Sequence, residues 1–195
     1  HVRASAGIFD VSHMGQFSIY GEEEDYLPLE QIVPIDLKAL NMHQSKYSVL
    51  MNKDGGIDDD LIVTKIKDGL SIVLNAACKH NDIKRIHEVI DPKKTKLHDE
   101  LSLIAFQGPK AVDFLEKIVP GVKDLTFMNG NILKYNGNNV FVNRSGYTGE
   151  DGFEISISNS AVQNFCEELL KNDGVKLIGL GARDSLRLEA GLCLY

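Results

Sequence analysis

Short runs in which apolar and polar residues alternate dominate this sequence. "QFSIY" (16–20), "YSVLM" (47–51), "LIVTKI" (61–66), "LSIVL" (70–74), "LSLIAF" (101–106), "NILKY" (131–135), "VFVNR" (140–144) and "FEISIS" (153–158) are each bounded by turn residues. That pattern predicts strands. Asp68-Gly69 and Asn136-Gly137 join two pairs of them, and such dipeptides supply the positive φ angles of two-residue hairpins. Between the strands the apolar period lengthens. "GPKAVDFLEKIV" places Pro109 at a helix start, followed by Ala111, Phe114, Leu115 and Ile118 at helical spacing. "SAVQNFCEELLK" opens with Ser160 and Gln163, a capping-box pair, and "AACKHNDIKRIHEVI" sets Ile83, Ile86 and Ile90 on one face. A further helix, before "YSVLM", is weakened by Pro28.

The element order is strand, helix, three strands, helix, and then the same again. An architectural pseudo-repeat therefore spans about 16–91 and 101–173, with "DPKKTKLHDE" as a solvated junction between the two halves. Hairpins mixed with helices predict an α+β fold: two ferredoxin-like, antiparallel β-sheet units flanked by helices. The sequence starts in what reads as the middle of an element and stops on "LEAGLCLY", an apolar run without a cap, so it reads as a fragment.

Composition narrows the function classes. With 43% hydrophobic and 25% charged residues, the chain is an ordinary globular protein. Its formal net charge of −7 argues against nucleic acid, which rewards clustered Lys and Arg. No apolar run is long enough to span a bilayer. Cys78, Cys166 and Cys193 are odd in number and widely spaced, so they read as small core residues in a reducing compartment. The six histidines lack metal-site spacing.

Four places carry candidate chemistry. In "NKDGGIDDDLIV" (52–63), residues two apart share a strand face, so Asp58 and Asp60 point one way and Asp59 the other. Asp60 adjoins the apolar run and is expected to be the most desolvated, a candidate proton acceptor or anchor for developing positive charge. A solvated acidic turn is the plainer alternative. A calcium loop lacks the Glu its spacing requires. In "NRSGYTGEDGFEIS" (143–156), Glu154 interrupts apolar neighbours beyond a glycine loop lined by Tyr147 and Glu150. That set suits a flat, nitrogen-rich heterocycle, stacked on the tyrosine and donating to a carboxylate; a wide hairpin rimmed with acids is the alternative. In "GLGARDSLRLEAG" (179–191), Arg187 is expected to pair with Asp184. Arg183 opposes the macrodipole at a helix start and needs an anionic or carbonyl partner. His13, before an apolar strand, reads as a hydrogen-bonded core histidine.

"GIFDVSHMGQF", "YSVLMNKDGGIDDDLIV", "LNAA", "LIAFQGPKA", "RSGYTGEDGFEIS" and "LGARDSLRLEAGLCLY" occur in an order and at a spacing that resemble the T-protein family of the glycine cleavage system, the tetrahydrofolate-dependent aminomethyltransferases. The resemblance covers residues 1–195. It implies a folate-binding region incomplete at both ends, part of a three-domain cloverleaf around a folate pocket, with the N-terminal segment and C-terminal domain outside the sequence. It further implies release of ammonia from the aminomethyl-lipoyl arm of the H protein and transfer of the one-carbon unit to tetrahydrofolate as co-substrate, without a metal. The family's catalytic acid falls on Asp60; its folate contacts fall on Tyr47, Glu154 and Arg183, with Asn75 and Tyr147 nearby. Asp59 also matches, whereas Asp58 replaces a residue usually aliphatic and either adds repulsion beside Asp60 or sits in solvent. A further family position falls on Thr64 and is not carried over. The implied location is the cytoplasm in a bacterium or the mitochondrial matrix in a eukaryote. Alternatives are a folate-dependent demethylase of the same fold, or a non-enzymatic folate-binding factor. Such factors carry a cysteine where this chain has "GYTGEDG".

Overall fold

Eleven strands and five α-helices form in a computed structural model that describes residues 1–194. In chain order they are β1 (Ala6–Asp10), β2 (Gly15–Tyr20), α1 (Glu23–Tyr26), β3 (Ser45–Met51), β4 (Ile57–Ile66), β5 (Gly69–Leu74) and α2 (Lys79–Ile86). There follow β6 (Thr95–Leu97), β7 (Leu101–Gln107), α3 (Ala111–Leu115), β8 (Gly130–Tyr135), β9 (Asn138–Asn143), β10 (Gly152–Ser158), α4 (Asn159–Leu170), β11 (Val175–Leu177) and α5 (Leu180–Glu189). All eight predicted strands are present. The three unpredicted ones, β1, β6 and β11, are buried almost throughout or only three residues long, and neither condition leaves an alternating pattern to read.

The chain divides into two compact units. The unit of residues 13–99 holds a five-stranded sheet in the order β3-β4-β5-β2-β6, antiparallel throughout. Phe17, Ile19, Leu61, Val63, Leu70, Ile72 and Leu74 line its inner face, covered by Tyr26, Leu29, Ile86 and Ile90. Each such side chain taken from water contributes about 1.5–3 kcal/mol. The helix expected to be weakened by Pro28 is short: α1 ends at Tyr26, and residues 27–31 tighten into a 3-10 turn with the proline in its second position.

The unit of residues 1–12 and 100–194 holds a six-stranded sheet, β11-β1-β7-β10-β9-β8, in which only β1 and β11 run parallel. Ile104, Phe106, Phe153, Ile155 and Ile157 pack against Ala111 and Leu115 of α3 and Phe165 and Leu169 of α4. Tyr135 meets the edge of Phe165 at 5.0 Å between ring centroids. In both sheets the strand that opens the unit's main run lies beside the last strand of a three-stranded meander: β2 against β5, and β7 against β10.

Several local expectations are corrected. The hairpin at Asn136-Gly137 is as predicted, with φ of 46° and 81°. At the other hairpin the two turn residues are Lys67 and Asp68, and Gly69 already pairs with Ile66. Gly69 is required by close approach instead, because a Cβ there would lie 1.9 Å from the Ile19 carbonyl oxygen. Helix α4 starts at Asn159 with Ser158 as N-cap, so Ser160 and Gln163 form no capping box; Gln163 donates to Glu167 at 2.9 Å. Residues 91–100 are not simply a loop: they form a 3-10 turn and then β6, which pairs with β2, and the units divide after Asp99. Among the described cysteines none is fully buried: Cys78 and Cys166 are half-buried and Cys193 is exposed. His13 is exposed rather than a core residue, and its carbonyl oxygen accepts from Lys79.

Candidate functional site

In the unit of residues 13–99, strand register gathers three of the predicted residues. β3 and β4 pair Val49 with Asp60 and Tyr47 with Ile62, and β4 and β5 pair Leu61 with Leu74. Tyr47 is therefore diagonal to Asp60 across one strand boundary. Asn75 follows the last residue of β5 and comes level with Asp60 across the other. The Tyr47 hydroxyl donates to Asp60 Oδ2 at 2.8 Å and the Asn75 amide donates to Asp60 Oδ1 at 2.5 Å. Both carboxylate oxygens are thus held by donors, which fixes the group's plane.

The three consecutive aspartates separate as the pleat requires, but their burial differs from expectation. Asp59, on the inner face with Leu61 and Val63, is 2% exposed, whereas Asp60 is half-buried. The adjoining apolar run does not decide desolvation; the side of the sheet does. Asp59 Oδ1 accepts from the Asn75 amide at 2.7 Å and from the Asp60 backbone N–H at 2.8 Å. Asp58 lies where the β3–β4 pairing slips from Leu50 opposite Asp59 to Met51 opposite Ile57. This bulge turns Asp58 toward Asn52, 3.0 Å away, and Arg85, 3.3 Å away. Asp58 is exposed to solvent, as one of the two expectations had it, and its charge is matched by a guanidinium, so it does not stand unopposed beside Asp60. The preceding glycines belong to a turn that Asn52 closes by accepting from the Asp54 and Gly56 backbone.

One member of this cluster was not anticipated. Asp82 of α2 is 3% exposed, and burial together with Asp59 pushes its carboxyl up to about 7. The sequence does carry a signal for it: residues 82, 86 and 90 share a helix face, so an acid stands where Ile86 and Ile90 are buried. The Cys78 thiol, one turn earlier, is also pushed up, by burial and then by Asp59.

The second unit gathers the other three predicted residues. Along β10, Phe153 and Ile155 face the core, and Glu154 and Ser156 alternate outward as predicted. Glu154 accepts from Ser145 Oγ at 3.3 Å and lies 3.8 Å from Arg183 Nη2. Arg183, in the first turn of α5, stacks over the Tyr147 ring at 5.2 Å. Its Nη1 is buried and has no hydrogen-bond partner among the described residues. The Tyr147 hydroxyl donates to the Cys193 carbonyl.

Gln107, fully buried at the end of β7, supports this loop. It donates to the carbonyls of Ser145 at 2.9 Å and Phe153 at 3.3 Å and accepts from Thr148 at 2.9 Å. No residue of helix α5 is fully buried. Arg3 ties it down by donating to Thr148 O, Glu150, Leu186 O and Glu189. Glu150 is thereby taken by Arg3 and does not line the loop for a ligand. Arg187 pairs with Asp184 at 2.8 Å, as expected. Among the described residues no group of three or more His, Cys, Asp and Glu is arranged to hold a metal, and no helix is long and apolar enough to cross a membrane.

The chain as a whole is similar to known proteins. The family described as "GCVT N-terminal domain" matches residues 1–195. The mitochondrial aminomethyltransferase of Dictyostelium discoideum is 44% identical over 212 residues, covering 100% of this chain and 52% of its own length. The aminomethyltransferase of Synechococcus is 42% identical, covering 100% of this chain and 55% of its own. The crystal structure of glycine cleavage system aminomethyltransferase T from Bartonella henselae superposes with a TM-score of 0.89 at 40% identity, covering 100% of this chain and 53% of that one. The chain thus spans about half the length of the curated relatives it matches. Its matching relatives from eukaryotes are named mitochondrial, whereas the cyanobacterial one is not. On this evidence the chain belongs to the GCVT N-terminal domain family.

Proposed function

We propose that this chain is the folate-binding part of a glycine cleavage system aminomethyltransferase. The reaction releases ammonia from an aminomethyl group on the lipoyl arm of the H protein and passes the one-carbon unit to tetrahydrofolate, giving 5,10-methylenetetrahydrofolate. The observation that carries the reading is the Arg183–Glu154–Tyr147 set. A buried guanidinium nitrogen without a hydrogen-bond partner among the described residues, beside a carboxylate and a ring face, is an unfinished binding site. The amide face of a pterin completes it: Glu154 accepts from ring N–H groups, Arg183 donates to the ring carbonyl, and Tyr147 supplies a face to stack on.

Asp60 supplies the acid–base group. With Oδ1 and Oδ2 each holding one donor, its remaining lone pairs are free to act. As ammonia leaves, the sulfur lone pair stabilises a cationic methylene, and Asp60 opposes that charge. When the folate N5 bonds to the methylene carbon, Asp60 accepts the proton this nitrogen sheds. The carbon–sulfur bond then breaks as N10 bonds to the same carbon, its electron pair returning to the lipoyl sulfur and the N10 proton neutralising that thiolate, which leaves the dihydrolipoyl arm. Tyr47 and Asn75 hold the carboxylate in place during both events. Positioning two large substrates contributes further, since effective molarity is worth roughly 7–11 kcal/mol.

The test is a turnover assay of the full-length protein with aminomethyl-loaded H protein and tetrahydrofolate, following ammonia and methylenetetrahydrofolate together. Equal release of both is expected. Formation of methyltetrahydrofolate from a small methylated donor instead, or no product of either kind, overturns the reading.

A further inference from the structure

The sheet and α2 bring two buried carboxyls face to face behind the proposed acid. Asp59 and Asp82 are 2% and 3% exposed, and Asp59 Oδ2 and Asp82 Oδ2 are both buried with no hydrogen-bond partner among the described residues, the Cys78 thiol also bearing on the Asp59 carboxyl. Written as two carboxylates, the pair would combine like-charge repulsion with two orphaned acceptors, each a substantial penalty. A single proton held between them removes both faults, because a protonated carboxyl donates to its ionised neighbour.

We infer that Asp82 is a positioning residue for Asp60, acting through a proton it shares with Asp59. The connection is continuous. Asp59 Oδ1, on the far side of the same carboxyl, accepts from the Asp60 backbone N–H at 2.8 Å and from Asn75 Nδ2 at 2.7 Å. That Asn75 nitrogen has two hydrogens, and it also reaches Asp60 Oδ1 at 2.5 Å. The amide is therefore divided between Asp59 and Asp60. Whatever pulls Asp59 out of place takes with it a donor on Asp60 and the backbone amide that sets its strand geometry. A second negative charge on the pair does so, by driving Asp59 and Asp82 apart and drawing Asn75 toward Asp59.

The charged groups around Asp82 agree with a retained proton. From β4 it faces Asp58, Asp59 and Asp60, and Cys78 stands at the start of its own helix. Arg85, further along α2, is occupied by Asp58 and Glu88. The titration of Asp82 is displaced upward to about 7, burial being the largest cause and Asp59 the next.

The inference rests on the aminomethyltransferase reading for its kinetic consequence but not for its structural one, so two measurements separate them. In the full-length protein carrying carboxyl-labelled aspartate, carbon NMR is followed against pH without folate, together with the Asn75 side-chain amide protons. The expected result is one carboxyl titrating well above the aspartate range, with the Asn75 amide following it, and loss of both in Asp82→Asn. An Asp82 carboxyl that titrates like an exposed aspartate, or an Asn75 amide indifferent to it, overturns the inference. In turnover, Asp82→Asn retains a donor toward Asp59. It is expected to keep kcat within about threefold of the parent and to flatten its decline above neutral pH, whereas Asp82→Ala lowers kcat about tenfold with a smaller change in folate KM. Parent-like kcat and pH profile in both variants overturn the positioning role. A parent enzyme without aminomethyl transfer overturns the functional reading alone, since the NMR result stands apart from it.

Discussion

Tyr47 and Asp60 are diagonal partners on adjacent strands, and the phenol donates to the carboxylate at 2.8 Å although Tyr47 itself is 52% exposed. Diagonal neighbours in a sheet stand about 7–8 Å apart, which an aromatic side chain can bridge. The contact orients Asp60 from the solvent side, as Asn75 does from the other. Tyr47→Phe removes one donor without disturbing the sheet. Because the tyrosine is half in water, kcat/KM is expected to fall by only about three- to tenfold. Steady-state kinetics with saturating H protein measures this directly.

Asp60→Asn exchanges the proton acceptor for an amide of the same shape. Turnover in the full-length protein is expected to drop about a hundredfold or more, in line with loss of a general base, while tetrahydrofolate binding by calorimetry changes little. Unchanged turnover would remove Asp60 from the chemistry.

Removing Glu154 acts on affinity instead. Glu154→Ala takes away the acceptor for the pterin and leaves the Arg183 guanidinium, whose Nη1 already has no hydrogen-bond partner among the described residues, without the carboxylate 3.8 Å from it. Folate affinity should weaken by about 1.5–3 kcal/mol, equivalent to tenfold to a hundredfold in Kd. Calorimetric titration of tetrahydrofolate into the parent and the variant provides the comparison.

Asp82 also makes a prediction about stability. Its carboxyl titrates near 7 when folded and near the ordinary 3.8 when unfolded. A raised folded value means that the folded state holds the proton more tightly. The contribution is therefore complete below about pH 4 and is lost as pH rises through about 7. Asp82→Asn, which cannot ionise, should raise the urea midpoint more at about pH 8 than at about pH 5. An equal shift at both would show that Asp82 does not hold its proton.

Arg3 is expected to matter for the position of Arg183 although the two do not touch. It ties α5 to the glycine loop through Thr148, Glu150, Leu186 and Glu189, and no residue of α5 is fully buried. Arg3→Ala should therefore speed hydrogen exchange across residues 180–189 before any change in global stability, because elements with few apolar contacts open locally.

Much of this molecule is legible without coordinates. The eight predicted strands form, the Asn136-Gly137 turn takes the conformation its residues demand, and Glu154 leaves the core face of β10 because Phe153 and Ile155 occupy it. These are properties of neighbours in sequence: a period of two sets a face, and a positive φ selects a residue type. Other features needed the fold. β1 sits between β7 and β11, and strand partners so distant in sequence are chosen by burial and hydrogen bonding that no local pattern records. Likewise Asp59, and not Asp60, is the acid taken out of water, because burial depends on which side of β4 is covered. The proton assigned to Asp82 and the unsatisfied nitrogen of Arg183 belong to the same class. A charge is stabilised or frustrated by whichever groups the folded chain sets against it, and those groups lie far away along the sequence.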